Sequence, residues 1–144
     1  MSKHLDANKE LVRRLYERLM ANGDVAAAEE IVDDGYVDHS LPGNAEGGRA
    51  ELIGVVQAVR AAVPDIAPVV DQAVSEGDLV AVRITARGHH TGAPFPPGIP
   101  AAGRAIEWRE QHMFRVADGR IVEHWGVFDN LSILQQLGAA PVPG

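Results

Sequence analysis

The sequence has no cysteine. Disulfides, thiolate metal sites and a cysteine nucleophile are therefore excluded, and the redox compartment stays open. Positive charge is in deficit: 13 Lys and Arg stand against 20 Asp and Glu, for a formal charge of −7. A chain of that sign has no electrostatic hold on nucleic acid or an anionic bilayer, so neither is expected as a partner. No apolar run approaches the roughly 20 residues of a membrane-spanning helix. The N-terminus, MSKHLDANKELVRRLYERLM, is charged and lacks the apolar centre of a signal peptide, so a cytoplasmic protein is expected. Aromatic residues are only 5% of the chain, which leaves few rings to assign. What remains, 46% apolar and 23% charged over 144 residues, is ordinary for one soluble domain (1–144) with its own core.

The apolar pattern changes period near Asp65. Before it, Leu11, Leu15 and Leu19, with Val12 and Tyr16, form a stripe at i, i+4 spacing and predict a helix over 7–21. Asn22-Gly23 ends it, since both tolerate a left-handed cap. Asp24 is placed to cap a second helix over 25–32. Tyr36-Val37-Asp38-His39 reads as a short strand or extended turn, and SLPGNAEGG as a loop. A third helix covers 49–63, and Pro64 stops it because the residue before a proline resists helical geometry. After Asp65 the alternation is that of strands, 66–75 and 79–88, joined at Glu76-Gly77-Asp78. In the second strand Val80, Val82, Ile84 and Ala86 make one apolar face. TGAPFPPGIPAAG is a long loop, of the kind that often rims a site. A last helix spans 130–137, with Asp129 or Asn130 as cap and Gly138 as its end, before a frayed PVPG tail. Helices, then about four antiparallel strands, then a short helix give an α+β fold whose curved sheet leaves a pocket under the helices.

Residues 104–129 predict a β-hairpin. Side chains two apart share a strand face, so Ile106, Trp108, Glu110, His112, Phe114 and Val116 form one stripe, and Val122, His124, Gly126 and Phe128 the other. Ala117-Asp118-Gly119 fits a three-residue loop, which sets His112 opposite His124, Phe114 opposite Val122, and Glu110 opposite Gly126. Two imidazoles and a carboxylate on an apolar wall are candidates for acid–base work at a small-molecule site. The plainer reading makes each a core residue with its own partner, and makes Glu110 half of an ion pair or a strand end reaching solvent.

Other groups are less specific. Asp38 and His39 are placed to reach a pocket mouth, or to serve as turn residues. Of His89 and His90, adjacent on a strand, at most one points inward, and His90 is taken as the pocket candidate. Trp108, Phe114 and Phe128 line a pocket or fill the core, while Trp125 takes the opposite face. Six histidines show no ligand-spaced motif, so no metal is expected. The serines sit in no nucleophile elbow, and the Gly43–Gly48 loop lacks a P-loop lysine.

HTGAPFPPGIPAAGRAIEW, HMFRVADGRIVEHW and DNLSILQQLG, with the N-terminal helix and YVDHS, resemble the SnoaL-like polyketide cyclases. These belong to the larger group folded like nuclear transport factor two and ketosteroid isomerase. The resemblance implies a cone-shaped α+β barrel, a curved antiparallel sheet wrapped by three N-terminal helices around a central apolar pocket. It implies cofactor-free intramolecular aldol cyclisation or isomerisation of a hydrophobic, oxygenated small molecule such as a polyketide. It also implies a homodimer or homotetramer paired through outer sheet faces, for which Trp125 and Val127 are suited. His112 and His124 match the family's histidines. The family's H-W-D, whose aspartate removes and returns the proton, appears here as His124-Trp125-Gly126. With no side chain at Gly126, Glu110 across the hairpin is expected to fill the space and act with His112 and His124. Asp38, Trp108, Phe114, Phe128, Gly126 and His90 are expected around the substrate. The alternatives are a non-catalytic binding protein of the same fold, and a hydrolase or hydroxylase variant.

Overall fold

The computed structural model describes residues 2–95 and 98–143. Pro96 and Pro97 of the Pro-rich loop, and the terminal Gly144, lie outside these residues. Helix α1 (Ser2–Leu15) runs directly into a π-helical segment, Tyr16–Ala21. Its stripe of Leu11, Val12, Leu15 and Leu19 is buried, as the i, i+4 spacing requires. The last carbonyls of this segment, Met20 and Ala21, accept from the Arg60 guanidinium at 2.8 and 2.7 Å, which satisfies groups a helix end leaves without partners. Helix α2 (Val25–Ile31) follows Asp24. The Asp24 carboxylate does not cap α2. It accepts instead from Arg18 at 3.0 and 2.8 Å, because the guanidinium is a stronger partner than a backbone amide.

Strand β1 (Val32–Asp38) leads through a loop to α3 (Arg49–Ala62), then β2 (Ala67–Glu76), β3 (Leu79–His89), β4 (Ala105–Ala117), β5 (Arg120–Phe128) and α4 (Asn130–Gln136). The sheet order is β1-β5-β4-β3-β2. Strands β2 to β5 are antiparallel neighbours, as the alternation and turns suggested. β1 lies parallel to β5, so the sheet is mixed and open rather than wholly antiparallel. Local pattern could not reveal this. No hairpin turn ties β1 to its neighbour, so nothing near it in sequence sets its direction. The inner face of β3 and β4 packs on α1, with Val80, Ile84 and Phe114 buried in one cluster with Leu15 and Leu19. A second cluster gathers Trp108, Ile106, Phe95 and Ile133. Asp129 caps α4, its carboxylate accepting from the Ser132 amide at 3.0 Å.

The β4–β5 hairpin differs from the expected register in two places. Its loop has two residues, not three: Asp118 (φ 51°) and Gly119 (φ 74°) are both left-handed, and Ala117 pairs with Arg120. That is the type I′ turn that Asp-Gly favours. A β-bulge then inserts Val122, since Val116 pairs with Ile121 but Arg115 with Glu123. Each step shifts the pairing by one residue. Together they keep His112 and His124 on the inner face but change every partner. His112 faces Gly126, Phe114 faces His124, and Glu110 faces Phe128. On the outer face Val74, Ala81, Met113 and Trp125 form one rung across four strands. No helix among the described residues is long and apolar enough to cross a membrane.

Ile84 on interior strand β3 is fully buried beneath α1. Ile84→Ala is expected to lower stability by about 2–5 kcal/mol, the cost of a buried cavity, measured by urea unfolding.

Candidate active site

Six strand positions and one loop residue assemble a single hydrogen-bonded run. Trp108, Glu110 and His112 are successive inward residues of β4, so each side chain stands beside the next. The Trp108 indole N–H donates to Glu110 Oε2 at 2.6 Å, and Glu110 Oε1 lies 2.7 Å from His112 Nε2. His112 Nδ1 is 2.8 Å from His124 Nε2 on β5. His124 Nδ1 is 3.1 Å from Asp38 Oδ1, because the parallel pairing of β1 with β5 sets Asp38 beside His124. Asp38 also accepts from the Ser40 amide at 2.8 Å, the Ser40 hydroxyl at 2.5 Å and the Tyr36 hydroxyl at 2.7 Å.

Gly126 makes the middle of this run possible. His112 and His124 are not opposite each other, so the His112 ring must lie over the position paired with it. A Cβ at Gly126 would overlap the His112 ring. The expectation that Glu110 fills the space at Gly126 is thus corrected: His112 fills it, because the register is two residues away from that deduced.

Asp38, Glu110 and His124 are nearly inaccessible, at 2%, 8% and 5% exposure. Burial pushes the Asp38 carboxyl up, but hydrogen bonds from His124, Ser40 and Tyr36 outweigh it and hold the group well below its usual range. Burial lowers the His124 imidazole below its usual 6.5, against the opposing pull of Asp38. Phe114 stacks on His124 with ring centres 4.5 Å apart.

The run forms one wall of a cavity of about 120 Å³ whose other walls are apolar, from Leu15 and Leu19 to Val56 and Ile133. Tyr16 also lines it. Its hydroxyl has no hydrogen-bond partner among the described residues, and burial, then the nearby Glu110, push the phenol well above 10, so it stays a donor. Trp108, Phe114 and Phe128 line the cavity, with Phe128 and Val55 partly exposed at its opening. His90 does not line it. The ring is fully buried outside the cavity, its Nε2–H donating to the Ala93 carbonyl at 3.0 Å and its edge against Phe95. The loop turns back at this point, and the ring holds the turn. His39 faces the opposite side of the sheet, 2.7 Å from Glu123 and stacked on Trp125. No group of three or more His, Asp or Glu side chains among the described residues is arranged to hold a metal ion.

Tyr16, Tyr36 and Ser40 were not singled out from sequence. Tyr36 carried a signal, since a residue two before Asp38 on a strand shares its face. Tyr16 carried none, because its spacing is that of the core stripe of its helix.

The family model for SnoaL-like polyketide cyclases matches residues 10–137. The chain belongs to this family. Among solved structures, IdmH from Streptomyces antibioticus, a candidate polyketide cyclase, is 37% identical, with TM-score 0.81 over 91% of this chain and 98% of that one. AclR from Streptomyces galilaeus, a candidate hydroxylase, is 26% identical, with TM-score 0.85 over 96% and 89%. A candidate polyketide cyclase from Bacillus cereus is 26% identical, with TM-score 0.83 over 98% and 87%. Among curated proteins none matches the sequence. Within the SnoaL-like family pattern set out above, the His112 ring lies where the H-W-D aspartate would project.

The site sets the sign of acid sensitivity. Folded His124 resists protonation relative to its usual 6.5, so its contribution to stability is complete above that value and is lost as pH falls below it. Asp38, depressed in the fold, acts with the same sign at lower pH. His39, raised by Glu123, acts oppositely but is on the solvated face. Urea unfolding is expected to give lower stability at pH 5.5 than at 7.5, with a smaller difference in His124→Asn.

Proposed function

We propose that the protein is a cofactor-independent acid–base enzyme that closes or rearranges a hydrophobic, oxygenated small molecule of the polyketide class. The observation that carries this reading is the hydrogen-bonded set Glu110, His112 and His124 on one wall of an otherwise apolar cavity. Family membership agrees with it.

The chemistry needs a base, an acid and a donor for developing negative charge. Glu110, with His112, removes a proton from carbon next to a carbonyl. The Tyr16 hydroxyl, on a buried side chain of the cavity wall, donates to the enolate oxygen. In an aldol closure the enolate carbon bonds to a second carbonyl carbon, whose C=O π pair becomes an alkoxide. The proton taken up then returns to that alkoxide, so no redox partner is needed. At about 120 Å³ the enclosed space holds the reacting part of such a ligand, below the roughly 300–1,000 Å³ of whole drug-sized sites. The remainder extends past Phe128 and Val55.

Exchange of α-protons of hydrophobic 1,3-dicarbonyl compounds in D₂O tests this without the natural substrate. The wild type is expected to accelerate exchange, and Glu110→Gln to lower the rate by about 10² or more, with its circular dichroism unchanged. Full exchange in Glu110→Gln would remove Glu110 from the mechanism. Binding of these compounds without exchange by the wild type would make the cavity a binding site only.

We also propose a homo-oligomer formed through the outer sheet face. Val74, Val127 and Met113 are 66%, 71% and 41% exposed there, around Trp125. Sedimentation is expected to show a dimer or tetramer that Val127→Glu dissociates, and a monomeric wild type at micromolar concentration overturns it.

A further inference from the structure

The four ionisable groups of the wall are joined end to end, and the atoms in contact dictate how many protons they hold. There are three contacts: Glu110 Oε1 with His112 Nε2, His112 Nδ1 with His124 Nε2, and His124 Nδ1 with Asp38 Oδ1. Each needs one proton to be a hydrogen bond rather than a collision of lone pairs. Two carboxylates and two neutral imidazoles supply only two. The set therefore holds a third proton and carries a net charge of one negative unit.

The positions of these protons follow from the Asp38 end. Asp38 already accepts three other hydrogen bonds, spread over both oxygens, and so is the ionised terminus. The Ser40 hydroxyl spends its proton on Asp38, so its oxygen, 3.2 Å from His124 Nδ1, can only accept there, and the proton facing both oxygens is on His124 Nδ1. His124 is buried, and burial favours the neutral ring, so its Nε2 is a lone pair. His112 Nδ1–H must donate to that lone pair. Only the proton between His112 Nε2 and Glu110 Oε1 has a choice of side.

We propose that Asp38, His124, His112 and Glu110 act as one three-proton relay, in which Asp38 is a positioning residue that fixes both imidazole tautomers and leaves one movable proton at the Glu110–His112 contact. Its part in turnover rests on the acid–base reading above, but the tautomers do not. With the movable proton on His112, Glu110 is a carboxylate and accepts. With it on Glu110, the same residue is an acid and donates. A hop across 2.7 Å interconverts the two. Uptake of a substrate proton brings the set to zero charge, and its return to an alkoxide restores one negative unit. Gly126 is the condition for the relay, since a side chain there displaces the His112 ring.

Histidine ring ¹⁵N NMR of the uniformly labelled protein tests this with no ligand present. The wild type is expected to show His124 protonated at Nδ1 and not Nε2, and His112 protonated at Nδ1 with an Nε2 signal between those of the two protonation states. Asp38→Ala should shift the ring signals of both His124 and His112, although residue 38 touches only the former. Gly126→Ala should abolish the response of His112 to Asp38→Ala. A wild-type His124 protonated at Nε2 overturns the proposal, and so does a His112 that ignores Asp38→Ala. If Asp38→Ala fails to fold, the wild-type spectrum decides alone. In α-proton exchange, Asp38→Ala is expected to lower kcat by about 10² with KM little changed. Exchange absent in the wild type, with the tautomers as assigned, sinks the acid–base reading and leaves the relay standing.

Discussion

The hydrogen bond between His112 and His124 is the contact on which the rest of the site depends. Each imidazole has two nitrogens, and in this wall all four are engaged. A buried polar group left without a partner loses its water and gains nothing in return. The ends of the run satisfy the same condition, through the Trp108 indole at one side and Tyr36 and Ser40 at the other. Removing any one member therefore disturbs its neighbours, and effects of substitution along the wall will not add.

The sheet supplies the spacing. On β4 the period of two sets Trp108, Glu110, His112 and Phe114 in a row, and only a neighbouring strand can extend the run sideways. The β5 bulge decides which β5 residue meets which β4 residue, and the parallel seam with β1 brings Asp38 alongside. Helix α1 and its π-helical extension close the cavity from above with Leu15, Tyr16 and Leu19. Such wider turns often occur at functional sites, and here Tyr16 is the first residue of one. The wall is thus polar in one line and apolar around it, an arrangement that strengthens electrostatic effects on whatever enters.

Much of this was legible in the sequence because short-range periodicity reports which face a side chain takes. The helices, the β2 to β5 strands and the shared inward face of Glu110, His112 and His124 follow from spacing alone. Partners are a different matter. Asp-Gly is a two-residue turn signal, but Ala117 before it suits a three-residue loop, and Val122 has the apolar character of the stripe that its bulge removes it from. Those two residues were enough to move Gly126 from Glu110 to His112. The place of His90 was not legible, since a ring that holds a loop and a ring that faces a ligand have the same identity and neighbours in sequence. Asp38 came within reach only through a strand pairing that no turn announces.

That pairing has a consequence for how the protein is made. Ser40 and His124, which both touch Asp38, are 84 residues apart in the chain. β1 leaves the ribosome early, and its neighbour in the sheet is β5, the latest in sequence of the five described strands. Until β5 emerges, the Asp38 carboxylate has neither its imidazole partner nor a strand beside it, and the edge of β1 is open to wrong pairings. Closing so long a loop costs chain entropy, which favours late formation of the β1–β5 seam. The wall is then complete only once β5 has paired, and truncation from the C-terminus, after α4, removes β5 and with it the site before it reaches α1, α2 and α3.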